Sequence, residues 1–169
     1  MRGSLLKSRW FLAALGTWAL VAATPRATLA QTVHANGHMV ADETWTLAGS
    51  PHIVNGTIIV DPLVTLTIEP GVVVKVSGGS LGRLRVDGTL IAEGTSGARI
   101  IFTSIKDDTV GGDSNGDGSA TSPAPGDWRS VNVQELGTMS LKYVDVKYGG
   151  WGSSDTTYAA VGVADSALL

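Results

Sequence analysis

Val54-Asn55-Gly56-Thr57-Ile58-Ile59-Val60 returns 32 residues later as Val86-Asp87-Gly88-Thr89-Leu90-Ile91-Ala92, position for position. Each copy joins an Asn-Gly or Asp-Gly turn signal to a short aliphatic and β-branched run. Such a pair can close an antiparallel hairpin, which makes a β-sandwich the competing architecture. Three features favour a solenoid instead. The unit recurs, turn residues fall every few positions where a sandwich spaces them by about 8–12, and no helical period or long crossover interrupts the pattern. From Glu43 onward the runs 44–47, 52–54, 57–60, 64–68, 72–76, 83–86, 89–92, 99–103, 128–133, 139–147 and 158–163 read as strands. Gly, Pro, Asn and Asp separate them. In a coil of short strands alternate residues enter a narrow core. That places Ile58, Val60, Leu66, Ile68, Val72, Val74, Val76, Leu84, Val86, Leu90 and Ile100 inside.

Between the two copies lies Thr65-Leu66-Thr67-Ile68-Glu69-Pro70-Gly71-Val72-Val73-Val74-Lys75. It resembles the LTIEPGVxVxF segment of secreted bacterial right-handed parallel β-helix proteins with the pectate-lyase-like fold. The pieces Leu84 to Thr95, Ile100 to Ser104, Pro125 to Trp128 and Leu141 to Gly150 are similar to later parts of the same proteins, in the same order. The resemblance implies an all-β, right-handed parallel β-helix of about three coils, close to the minimum for a stable solenoid. Trp128 would then be a structural residue at a strand start. The chain stops at 164–169 without a polar capping segment, so the expectation is the N-terminal portion of a longer protein, or a truncated gene product. Self-association through the uncapped end is expected. Architecture is implied here and activity is not, since the fold carries lyases, hydrolases, adhesins and surface proteins.

Residues 1–30 contain Arg2, Lys7, Arg9 and Arg26 and no acid. An uncharged run, 10–23, follows the basic start, and Pro25, Thr28 and Ala30 close the segment. This order is that of a secretory signal peptide cut after Ala30, or after Ala35. The apolar run is short of the roughly 20 residues that a membrane span needs. Export is the expectation, with residues 31–42 as a mobile lead-in and 43–169 as the β-helix. The remaining chain holds 8 basic and 15 acidic residues, a formal −7 where the whole chain is −3. That balance argues against a nucleic-acid binder, which neutralises phosphates with basic groups. The absence of Cys excludes disulfides, thiolate-held zinc and a cysteine nucleophile.

The one long interruption, 106–126, is acidic and glycine-rich. Asp113-x-Asn115-x-Asp117-Gly118 has the alternating oxygen ligands and sharp bend that open a calcium loop. Ca2+ takes about six to eight oxygens, so Asp107, Asp108, Asp127 or backbone carbonyls would complete the shell. Ala124 stands where an EF-hand places its Glu, which excludes a helical EF-hand. Five carboxylates between Asp107 and Asp127 repel one another unless a cation sits among them.

Catalytic patterns are sparse. Lys75, Arg83, Arg85, Arg99, Arg129, Lys142 and Lys147 are candidate bases, but most alternate with core positions as a solvated strand face does. Asp127 and Asp145 read as surface or turn residues, and His34, His38 and His52 are scattered. No nucleophile elbow or Walker lysine is present. Trp151 and Tyr148 are candidate glycan contacts. The expected function is an exported cell-surface or extracellular scaffold of adhesion type, calcium-stabilised and non-enzymatic as it stands. Its expected partners are extracellular polysaccharide or cell-surface components. The alternatives are the N-terminal fragment of a polysaccharide lyase or glycoside hydrolase, and a carbohydrate-binding module.

Overall fold

The computed structural model describes residues 31–151 and 160–163. The strands are β1 (Thr32–Met39), β2 (Glu43–Trp45), β3 (His52–Val60), β4 (Thr65–Ile68), β5 (Val73–Ser77) and β6 (Gly79–Val86). They continue as β7 (Thr89–Glu93), β8 (Ile100–Ser104), β9 (Trp128–Val133), β10 (Thr138–Lys142), β11 (Val144–Val146) and β12 (Val161–Val163). One 3-10 turn, Leu47–Gly49, is the helical element among the described residues.

Among the described residues every strand pairing is parallel, which removes the hairpin alternative there. The chain pairs with itself one circuit later: His52 faces Val74, Thr57 faces Arg83 and Leu66 faces Leu90. The result is an all-β, solenoid-like fold whose parallel sheet nearly closes on itself. One row runs β11-β8-β5-β3-β6-β9-β12 with β1 beside β3, and the other runs β10-β7-β4-β2. β3 joins two faces of the first row, because its 52–55 half pairs with β5 and its 57–60 half with β6. The bend between the halves is Asn55-Gly56, with Gly56 at φ 90°. Asn side chains brace this corner: Asn36 Oδ1 accepts from Thr57 N at 2.9 Å, and Asn55 Oδ1 from Ser77 Oγ at 3.0 Å.

The two similar heptads therefore occupy different corners. Val54 pairs with Val76 inside the β3 bend, whereas Val86 pairs with Val60 and Val133 at the turn from β6 into β7. The stacking register differs from the 32-residue spacing of the copies, being 22 residues at Val54↔Val76, 26 at Val60↔Val86 and 47 at Val86↔Val133. Both are Asx-Gly corners, but Gly56 is needed for its positive φ and Gly88 for space.

Each core position expected from the alternation is buried, and Trp45, Phe102 and Trp128 join them. The 31–42 stretch is not a lead-in without structure: β1 pairs with β3 from Thr32↔His52 to Met39↔Val60. Its sequence has little apolar periodicity, and its strand conformation comes from the partner strand. The run 139–147 is divided into β10 and β11 by Tyr143, whose φ of 49° turns the chain. The strand expected at 158–163 is described at Val161–Val163. Residues 1–30, where the signal peptide is expected, and 164–169, where the uncapped end is expected, lie outside the described residues. Among those described, no helix is long and apolar enough to cross a membrane.

Candidate functional site: a lysine-backed carboxylate cluster

Ile53, Lys75 and Thr103 lie side by side on β3, β5 and β8. They alternate with the core positions Val54, Val74 and Phe102 and so face outward. All three are nevertheless buried. The connection 105–127 folds back over them: a Cβ on Gly111 would stand 3.2 Å from Lys75 Cε and from Pro51 Cβ. Lys75, expected on a solvated strand face, is 0% exposed. Strand alternation assigned it correctly to the outer side; the loop then removed the water. Its Nζ donates to the Gly112 carbonyl. Burial pulls the ammonium's pKa down, while the charges of Asp108, Asp107 and Asp113 push it up. A protein cation thus sits among the acids that sequence reasoning assigned to a metal.

The acidic residues divide into two groups. Asp107 turns inward and accepts from Thr103 Oγ1 at 2.6 Å, Thr109 N at 3.1 Å and Thr109 Oγ1 at 2.5 Å. Burial raises its pKa, but these bonds and the Lys147 charge hold it below the ordinary aspartate value. Asp127 clamps the loop's ends, accepting from Ser104 Oγ at 2.7 Å, Lys106 Nζ at 2.8 Å and Ala124 N at 3.0 Å. Both fasten the loop to the end of β8, through Thr103 and Ser104.

Asp108, Asp113 and Asp117 form the second group, each offering an oxygen within 4.8 Å of the others'. The loop winds around Asp113, whose Oδ1 accepts from Gly116 N at 2.7 Å and whose Oδ2 accepts from Gly118 N at 2.8 Å. Asp117 Oδ1 accepts from Ser119 N at 2.9 Å and Ala120 N at 3.0 Å. Asp108 Oδ1 is buried and has no donor. Asn115 contributes donors here, its Nδ2 reaching Asp117 Oδ2 at 2.8 Å and Thr121 Oγ1 at 3.1 Å. Of the five expected ligands the structure thus gathers Asp108, Asp113 and Asp117, keeps Asn115 beside Asp117, and turns Asp107 away.

The remaining candidates are dispersed. Asp145 forms a two-bond pair with Arg99, at 2.8 Å to Nε and 2.6 Å to Nη2, so it is a surface tie. Trp128 is fully buried with Nε1 donating to the Lys147 carbonyl at 2.9 Å, as a core residue. Trp128→Phe removes that donor and leaves the carbonyl unpaired, for an expected loss of about 1–3 kcal/mol in chemical denaturation. Trp151 is 46% exposed and holds the Trp128 carbonyl through its own N–H at 3.0 Å. Tyr148 is half-buried at a positive φ of 60°. Sequence reasoning left His34 and His52 apart, but β1 beside β3 brings their rings within hydrogen-bonding reach.

Fold and loop together define a parallel, solenoid-like all-β protein with a carboxylate cluster seated on its outer wall. No protein-family model, no curated protein and no solved structure matches the chain.

Proposed function

We propose that the chain is an exported extracellular or cell-surface scaffold, built as a right-handed parallel β-helix and stabilised by Ca2+ at the 105–127 loop. Parallel strands joined by crossovers support the handedness, since such connections are right-handed in about 98% of cases. The column of parallel strands β1, β3, β5, β8 and β11 supports the stacked-coil reading. The observation that carries the calcium reading is the convergence of Asp108, Asp113 and Asp117 oxygens within 4.8 Å, one of them buried without a donor. Three carboxylates backed by one ammonium leave a formal −2, which a divalent cation neutralises. Hard oxygen ligands suit Ca2+, and backbone carbonyls and waters would fill the rest of its shell.

Calorimetry with CaCl2 tests this. The expected result is saturable heat with a Kd of about 0.1–1 mM, the range of extracellular calcium modules. At 2 mM Ca2+ a melting point about 2–4 °C higher than in chelator is expected. No heat and an unchanged melting point would remove the calcium. The half-exposed Trp151 ring supports a second reading, carbohydrate binding by stacking. A glycan array on wild type and Trp151→Ala decides it, with retained binding in the variant counting against the tryptophan.

A further inference from the structure

The N-terminal end of the core is closed by stacked rings. His34 of β1, Trp45 of β2 and His52 of β3 lie face to face. Centroids are 4.3 Å apart for His34–Trp45, 5.2 Å for Trp45–His52 and 5.3 Å for His34–His52. Hydrogen bonds dictate where the protons sit. His52 Nε2 lies 2.9 Å from the Thr46 carbonyl, which only accepts, so Nε2 carries the hydrogen. His52 Nδ1 is then a bare lone pair, and it receives the Nε2–H of His34 at 3.0 Å. His34 in turn presents a bare Nδ1 to Glu43 Oε1 at 3.6 Å. That oxygen already accepts from Trp45 Nε1 at 3.0 Å. A cavity of about 140 Å³ lined by His34, His38, Met39, Glu43 and Ile58 gives solvent access to this point.

The chain of bonds has room for one extra proton. It goes to His34 Nδ1, facing the Glu43 carboxylate. A second proton has only His52 Nδ1 to occupy, where it deletes the His34–His52 bond and sets two cationic rings 5.3 Å apart.

We propose that His34, His52 and Glu43 form an acid-sensitive clasp: uncharged, it holds the 32–35 half of β1 on β3, and the second proton releases that half and bares the 52–55 edge of β3. The clasp is built into the first described layer, where β3 is the single strand partner of β1 among the described residues. The other half of β1 behaves differently. His38 Nδ1 lies 2.6 Å from Asp61 Oδ1, a bond that ties 37–39 to the turn after β3 and takes no part in the ring stack. The register break between Ala35 and Gly37 separates the two halves mechanically. On the neighbouring elements, Val74 of β5 is apolar and the Glu69 carboxylate is turned to the Leu47 N–H at 2.8 Å; the charges that act on the rings are that of Glu43 and, on His34, that of His52.

The electrostatics agree in direction. Burial lowers the pKa of His34 against the pull of Glu43, and burial lowers that of His52 against its bond to Thr46. A folded-state pKa below the unfolded value of about 6.5 means that the unfolded segment binds more protons. The clasp is therefore at full strength above that pH and weakens as pH falls through the folded-state values.

Hydrogen exchange read by mass spectrometry on the full chain between pH 7.5 and 4.5 tests the clasp. Protection factors at 32–35 should drop about tenfold per pH unit in the acid range, one proton being linked to release, while β5 and β8 keep theirs. His52→Gln offers an amide that donates to Thr46 and accepts from His34 but does not titrate, so release should move down by about one pH unit or more. Glu43→Gln removes the carboxylate that shelters the first proton, so release should move up. A purely structural role would shift both variants upward. Flat protection to pH 4.5, simultaneous loss in β1, β5 and β8, or shifts of both variants in one direction overturns the clasp. Should His52→Gln not fold, the wild-type localisation and the Glu43→Gln direction decide.

Discussion

Gly88→Ala is expected to remove more than about 3 kcal/mol of stability, enough to unfold a marginal solenoid. A Cβ at Gly88 would sit 2.2 Å from the Asp61 carbonyl oxygen and 2.4 Å from that of Val64. Neither oxygen is free to retreat. Asp61 O holds Val64 N at 3.0 Å, and Val64 O holds Thr89 N at 2.8 Å. Gly88 itself cannot move outward without breaking its own ties, N to the Val60 carbonyl at 3.0 Å and O to Thr138 N at 2.8 Å. The same crowding recurs one layer on, where a Cβ at Gly137 would lie 2.4 Å from Val86 O. Corner glycines of this kind let successive layers stack at strand spacing. Gly97→Ala is the control, because nothing lies within 4 Å of its added Cβ. Its effect should stay within about 0.5 kcal/mol. Urea titrations followed by far-ultraviolet circular dichroism compare the two. Equal midpoints would mean that the layers do not approach as closely as described.

Lys75→Met should loosen the acidic loop at a cost of about 2–3 kcal/mol, toward the low end for breaking a buried charge pair because Asp108 and Asp113 keep some contact with water. The methionine fills the aliphatic stem's place over the sheet. What disappears is the ammonium, with its bond to the Gly112 carbonyl and its attraction to Asp107, Asp108 and Asp113. Limited proteolysis should then cut within 108–122 faster than in wild type in the presence of chelator. Under the calcium reading the cluster's formal charge goes from −2 to −3, so Ca2+ should bind the variant about tenfold more tightly and restore resistance. A variant that resists protease and melts like wild type would show that the lysine does not hold the loop. Tightened calcium binding without any change in proteolysis would separate its electrostatic role from its structural one.

Much of the fold was legible because the relevant signals are local. Aliphatic alternation in β3, β4, β5 and β6 identified Ile58, Leu66, Val74 and Leu84 as core, and all are buried. The limits of β9 and the long connection before it were visible from Pro125-Gly126-Asp127-Trp128, where turn residues meet a β-rich run. The close spacing of Asp113 and Asp117 likewise reflects a loop that bends back within a few residues, and their oxygens lie within 4.8 Å of one of Asp108.

Other features depend on residues far apart in the chain. TVHANGHM, with two histidines and little apolar periodicity, becomes β1 because β3 supplies its hydrogen bonds. The 32-residue likeness of two heptads marks two corners of one kind but does not give the stacking register, which the lengths of the intervening turns set. The amino-acid sequence by itself determined which residues prefer strands and corners, which aliphatic side chains face inward, and where the acidic charge concentrates. Tertiary structure decided which outward residues lose their water and which polar groups meet. Lys75 is buried because a loop more than thirty residues downstream covers it, and His34 meets His52 because one circuit of the chain brings them side by side. Inward or outward direction is a property of the local backbone, whereas solvent access and partnership are properties of whatever is stacked against it.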